Sequence, residues 1–278
     1  MKKISFTKMQ GAGNDFIVID HAEGIDYSAL AIKACHRNFG IGADGLLVLD
    51  RSATSDFKMR IINADGSEAE MCGNGARCMA AYIAGKGVGA KETFTMETLA
   101  GVIHGSARGE VARVQLNDPK DYRSNIAIDL GDRQLTGHFI NTGVPHTVIF
   151  VERLNDVDVE GIGRQIRHHT AFAPKGTNVN FVERVQDGVV ALRTYERGVE
   201  AETLACGTGS VAAALIGFIQ GHKTLTAHQL AAIKVLTKSG EMLDVSFDLA
   251  VKDQQPVISN VWLKGSGKFI CKGEYYGV

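Results

Sequence analysis

Proline and tryptophan are scarce in this chain: four prolines and one tryptophan stand among 278 residues. So little proline excludes a polyproline linker or a proline-rich recognition segment. No run of about 18 apolar residues occurs, so no membrane-spanning helix is expected. An excess of charge of one sign is also missing. The net charge is −1, which favours neither a nucleic-acid backbone nor an acidic membrane surface as partner. Neither Cys-x-x-Cys nor His-Glu-x-x-His is present, and His168-His169 has no accompanying ligand set, so no metal is expected. The five cysteines, Cys35, Cys72, Cys78, Cys206 and Cys271, are odd in number, which argues against a disulfide framework. The opening residues Met1 to Lys8 turn polar before a signal-peptide core could form, so a cytoplasmic protein is expected.

What the chain has is glycine, 32 residues of it, and a long internal repeat. Glu68-Ala69-Glu70-Met71-Cys72-Gly73-Asn74-Gly75 returns 134 residues later as Glu202-Thr203-Leu204-Ala205-Cys206-Gly207-Thr208-Gly209. Each cysteine is followed by Gly-x-Gly and then by a segment apolar nearly all round: Ala76 to Ala84 in the first copy, Val211 to Ile219 in the second. Such helices belong inside a domain rather than on its surface. The elements before them also recur in order. A glycine turn and an apolar strand come first, then a helix, then another strand. Gly42-Ala43-Asp44 precedes Cys72 by the same interval as Gly176-Thr177-Asn178 precedes Cys206. In the first copy Asp26 or Ser28 is the expected helix cap, with Leu30, Ile32 and Ala34 on one face. In the second, Val159, Ile162 and Ile166 mark the equivalent helix.

A period this long is a duplicated domain, not a solenoid unit. The expected class is α+β: two pseudo-symmetric domains, each a bent, mostly antiparallel sheet or barrel wrapped on a central buried helix. The first comprises residues 1–118 with the surplus tail 267–278 returning to it as an added strand. The second comprises residues 119–266.

Cys72 and Cys206 each stand at an expected helix N-terminus, where unpaired N–H groups and the helix dipole favour a negative charge. The glycines allow close backbone approach by a ligand, and the site suits a carboxylate. Two such thiols suggest inversion at a carbon acid. One thiolate removes a proton, and the other thiol returns one to the opposite face without metal or cofactor. Their protonation states must then differ. Cys35, Cys78 and Cys271 read instead as small buried hydrophobes. A redox pair of Cys72 and Cys206 is the other chemistry their positions allow.

These residues carry a family resemblance. Asn63-Ala64-Asp65-Gly66-Ser67-Glu68 running into Met71-Cys72-Gly73-Asn74-Gly75-Ala76-Arg77-Cys78 resembles the first active-cysteine motif of the diaminopimelate epimerases. Tyr195-Glu196-Arg197-Gly198 through Glu202 to Gly209 resembles the second, and Gly11-Ala12-Gly13-Asn14-Asp15-Phe16 is similar as well. The resemblance spans nearly the whole chain. It implies conversion of LL- to meso-diaminopimelate, a homodimer, and no cofactor. Carried over residue by residue, it makes Cys72 and Cys206 the acid/base thiols, tuned by His146 and Glu196. Gly73, Asn74, Gly207 and Thr208 would hold the carboxylate at the reacting centre, and Glu196 its amino group. Asn14, Asn63, Asn178 and Arg197 would bind substrate, with Arg197 on the far carboxylate, a pairing that a guanidinium makes bidentately. Two positions depart from some members: Gly45 stands where they carry glutamine, and Val144 where they carry asparagine. A racemase of proline or histidine, and a non-catalytic amino-acid-binding or redox-sensing protein, are the competing readings.

Overall fold

Apolar runs bounded by glycine turns become strands in the computed structural model, which describes residues 3–87, 93–222, 229–253 and 255–277. The chain divides into two compact units, Met1–Gln115 with Lys264–Val278, and Leu116–Leu263. The first unit contains β1 (Ile4–Gly11), β2 (Asn14–Asp20), α1 (Tyr27–Ala34), β3 (Gly45–Asp50), β4 (Phe57–Asn63), β5 (Glu68–Ala69), α2 (Gly73–Gly85), β6 (Phe94–Thr98), β7 (Gly101–Arg108) and β8 (Val111–Gln115). The second holds β9 (Lys120–Asp129), β10 (Gln134–Asn141), β11 (Pro145–Phe150), α3 (Val159–Arg167), β12 (Asn178–Gln186), β13 (Val189–Glu196), β14 (Ala201–Thr203), α4 (Gly207–Gly221), β15 (Gln229–Leu236), β16 (Met242–Lys252) and β17 (Gln255–Ser266). β18 (Lys268–Tyr275) returns to the first unit and pairs antiparallel with β1.

The two units share one pairing scheme. In the first, β1 and β2 form an antiparallel hairpin, β2 and β3 run parallel, β3 and β4 antiparallel, and β4 runs parallel to β6. In the second, β10 and β11, β11 and β12, β12 and β13, and β13 and β15 repeat these relations in the same order. The outer neighbour of the opening hairpin is β18 in the first unit and β9 in the second. Strand β9 follows Asp118-Pro119 and had no clear signature in the sequence, because its side chains are mostly exposed. Each sheet is mostly antiparallel, with two parallel pairs.

Each sheet is covered on both faces, so its central strands are apolar without alternation. In the first unit Ile17, Ile19, Leu46 and Val48 pack with Tyr27, Leu30, Ala31 and Ala34 of α1. On the other face lies α2, whose Ala76, Arg77, Cys78, Met79, Ala80, Ala81 and Ile83 have no solvent exposure. In the second unit α3 packs on Val179, Phe181 and Tyr195, and α4 is buried through Ala212 to Ile216. Burying a Leu, Ile or Phe side chain contributes roughly 1.5–3 kcal/mol, so these two helices are central to each unit's core.

Three local expectations need correction. Asp26 is the cap of α1, its Oδ1 accepting from Ala29 N at 3.1 Å. The buried face, however, is Tyr27, Leu30, Ala31 and Ala34, and Ile32 is 50% exposed. A helical face repeats at three and four residues, not at two. Both buried helices begin earlier than their apolar runs, at Gly73 and Gly207, because the cysteines themselves are the caps. Cys271 is exposed, unlike the buried Cys35 and Cys78. It lies on β18 paired with Lys8, where residues 270–272 are all exposed.

Candidate active site

Cys72 precedes α2 in extended conformation (φ −142°, ψ 114°), and its Sγ accepts from Gly75 N at 3.4 Å. Cys206 is the N-cap residue of α4 with similar backbone angles (φ −113°, ψ 114°), but its side chain makes no cap hydrogen bond. Cys206 is 6% exposed and Cys72 is half-buried. Both sulfurs therefore sit at the positive end of a helix whose first N–H groups have no intrahelical acceptor. The remaining thiols differ. Cys35 lies in the α1 core, and burial pushes its thiol up to about 11, far from a reactive range.

The second glycine of each Gly-x-Gly serves a purpose other than the expected approach to a ligand. A Cβ on Gly75 would lie 3.2 Å from Leu47 Cδ2, and one on Gly209 would lie 2.5 Å from Asn180 Oδ1. These glycines let the helix end settle onto its own sheet. Gly45 is similarly confined, since a Cβ there would meet Ile62 O at 2.9 Å. The strand therefore has no room for a longer side chain at this position.

In the first unit the structure joins Asn14 to Asn74, whose Nδ2 donates to Asn14 Oδ1 at 2.5 Å. Two residues not anticipated from the sequence hold this pair. Arg77, wholly buried, donates to Asn74 Oδ1 at 2.9 Å, and Asp44 Oδ2 accepts from Asn14 Nδ2 at 2.9 Å. Asn63 is exposed at the end of β4 and bonds Ser67 Oγ at 3.0 Å. Beside Asn14, Asp15 meets Lys8 at 2.6 Å and Arg37 at 2.9 Å. Burial raises its pKa, but the two cations outweigh that and hold the carboxyl below its usual range.

In the second unit a continuous chain of hydrogen bonds leads to Cys206. Its Sγ lies 3.5 Å from Thr208 Oγ1, which lies 2.9 Å from His146 Nε2. His146 Nδ1 lies 3.1 Å from Asn180 Nδ2, and Asn180 Oδ1 accepts from Thr194 Oγ1 at 3.0 Å. Burial first, and then the charge of Arg197, push His146 down to about 3, so the ring is neutral. Asn178 accepts the Arg197 backbone N–H at 2.8 Å and donates to Pro145 O at 2.9 Å. It is thus a turn-holding residue in addition to any contact with substrate. Burial raises the pKa of Glu196. The nearby Thr203 hydroxyl opposes this only in part. Asn180 and Thr194 were missed in the sequence. They face each other across β12 and β13, a pairing that only the fold reveals. Among the described residues no group of three His, Cys, Asp or Glu side chains is placed to hold a metal ion.

Two like units, each with a cysteine at the head of a buried helix packed on a mostly antiparallel sheet, define a fold seen in other solved structures. The chain superposes on a Bacillus anthracis phenazine biosynthesis protein of the PhzF family with a TM-score of 0.73 at 15% identity, covering 99% of this chain and 100% of that one. A probable proline racemase from Agrobacterium radiobacter also gives a TM-score of 0.73 at 15% identity, covering 99% and 93%. At this identity the likeness is one of fold alone. The sequence places the chain more closely. The family model for diaminopimelate epimerase matches residues 6–120 and 138–253, and the chain belongs to that family. It is 42% identical to the diaminopimelate epimerase of Aquifex aeolicus over 97% of both chains. It is 46% identical to that of Methanocella arvoryzae over 80% of this chain and 84% of the relative.

Proposed function

We propose that this protein epimerises LL-diaminopimelate to meso-diaminopimelate with Cys72 and Cys206 as its two acid/base groups. The observation that carries the reading is the matched placement of the two cysteines as N-cap residues of the two buried helices, together with the family match. One thiolate takes the α-proton, leaving a carbanion conjugated with the carboxylate. The other thiol gives a proton to the opposite face. Each cysteine ends in the protonation state the other began with, so the enzyme runs in both directions. N–H groups of Gly73, Asn74, Gly207 and Thr208 stabilise the charge that develops on the carboxylate. Glu196 receives the α-ammonium group, and Arg197 the distal carboxylate. Asn14, Asn63 and Asn178 complete the substrate contacts, and His146 tunes the second thiol.

The same reading makes the enzyme a cytoplasmic homodimer, and light scattering of the purified protein checks the dimer. Among the described residues no helix is long and apolar enough to cross a membrane. The deciding experiment is incubation in D2O with a panel of amino acids, following exchange at the α-carbon by NMR. Exchange confined to LL- and meso-diaminopimelate is expected. Faster exchange with proline or histidine overturns the substrate, and no exchange with any amino acid overturns the reaction.

A further inference from the structure

The strand ladders allow the two units to be compared position by position beneath the capping cysteines. Phe16 pairs with Gly45 across the parallel strands, and Gly45 with Asn63. In the second unit His146 pairs with Asn178, and the next residue, Val179, pairs with Tyr195. The offset between the units is fixed by the short strands before the cysteines. Glu68 pairs with Ile62 and its repeat counterpart Glu202 with Tyr195, so Ile62 matches Tyr195. The ladders then equate Gly45, not Asp44, with Asn178, a shift of one residue from the alignment read along the sequence. On this register His146 takes the place of Phe16. Asn180, opposite Thr194, takes the place of Leu47, opposite Ile61. The glycines agree independently: Leu47 and Phe16 lie beneath Gly75, and Asn180 lies beneath Gly209. Three buried apolar residues in one unit are therefore three buried polar residues in the other: Phe16, Leu47 and Ile61 against His146, Asn180 and Thr194.

Burying three polar groups is costly unless each is hydrogen-bonded. Here the bonds also fix a direction. The Asn180 amide is oriented from both ends. Its NH2 donates to Thr147 O at 3.0 Å, and its Oδ1 accepts from the Thr194 hydroxyl at 3.0 Å. The second N–H of that NH2 group points at His146 Nδ1. An NH2 group can only donate, so Nδ1 must accept, and the ring proton resides on Nε2. Nε2–H then donates to Thr208 Oγ1. A hydroxyl has one hydrogen. With an oxygen lone pair engaged by His146, that hydrogen is directed to Cys206 Sγ.

We infer that Asn180 is a positioning residue that imposes the Nε2–H tautomer on His146 and thereby holds the Thr208 hydroxyl as a donor to Cys206, so that Cys206 is stabilised as thiolate. His146 in this role does not titrate and is not a base for the thiol; it orients a hydroxyl. The device sets which of the two cysteines rests as thiolate before a turnover, and in that respect it rests on the proposed function.

The test needs no substrate. In protein labelled with 15N-histidine and 13Cβ-cysteine, NMR at neutral pH should show His146 as the neutral Nε2–H tautomer and Cys206 with a substantial thiolate fraction. Thr208→Val should lower the Cys206 thiolate-to-thiol ratio roughly tenfold, the worth of one hydrogen bond to a charged acceptor. Thr208→Ser should retain it. Asn180→Asp, which can only accept from the ring, should move the proton to Nδ1 and lower the Cys206 ratio without touching the cysteine or its neighbour. An Nδ1–H or doubly protonated His146 in the unsubstituted protein overturns the inference. So does a Cys206 ratio unchanged in Thr208→Val, and both results remain available if Asn180→Asp fails to fold. Tautomer and thiolate as expected, with no α-proton exchange on diaminopimelate, would leave this inference standing and remove the functional reading instead.

Discussion

A methyl group can neither take nor give a proton, so Cys72→Ala and Cys206→Ala are each expected to lower epimerisation by at least about a thousandfold, the scale of a lost acid or base. Steady-state turnover with LL-diaminopimelate checks this, and near-full turnover in either variant would end the two-base account. Cys35→Ala should leave turnover intact, because its buried thiol sits near 11. The two cysteines proposed as acid/base groups stood out at this scale because the chain repeats them in one setting. Arg77, Asp44, Asn180 and Thr194 were not. Their importance lies in what they touch across strands and turns, and no local pattern around them reports it.

Two buried arrangements carry predictions at the level of elements. Gly163 in α3 faces Tyr195 of β13, and a Cβ there would stand 2.6 Å from Tyr195 Cβ. Gly→Ala in a helix interior gains up to about 1 kcal/mol from propensity, whereas overpacking costs roughly 1–3 kcal/mol. Because Tyr195 Cβ moves only with its backbone, the clash should win. Gly163→Ala is expected to lower the denaturation midpoint in urea. Glu202 on β14 offers a pH-dependent case. Burial raises its pKa, but hydrogen bonds from Arg193 at 2.6 Å and Lys238 at 2.6 Å outweigh that and hold it below the usual value. A carboxyl with a folded pKa below its unfolded one stabilises fully above the unfolded value, near about 4.3, and loses that contribution as pH falls through the folded value. Glu202→Gln should therefore cost roughly 2 kcal/mol at pH 7. The gap to the unsubstituted protein should close below about pH 4, as chemical denaturation across pH would read. Helix positions were readable from their apolar runs. The apolar runs alone begin one turn late, and it is the cysteine with its Gly-x-Gly that marks each helix start.

For the molecule as a whole, the return of the C-terminal segment is the connection to test. β18 supplies the outer partner of β1, and Gly267 N and Phe269 N are anchored on Glu110 at 2.8 Å and 2.9 Å. A chain ending at residue 267 should show faster amide exchange through β1 by mass spectrometry, while the strands of the second unit keep their protection. Unchanged exchange in β1 would mean that the ladder contributes little. The sequence by itself determined the duplication, the α+β class, the buried helices and the cysteine at the head of each. All of these follow from periodicity and from residue types that recur at a fixed interval. Only the tertiary structure decided which residues of the two halves correspond, because register depends on turn lengths and pairing that a one-residue shift hides. It also decided that the cysteine settings differ, since Phe16, Leu47 and Ile61 meet their polar counterparts only through strand pairing. Cys72 and Cys206 are alike in the written chain. The side chains folded beneath them are what make them unlike.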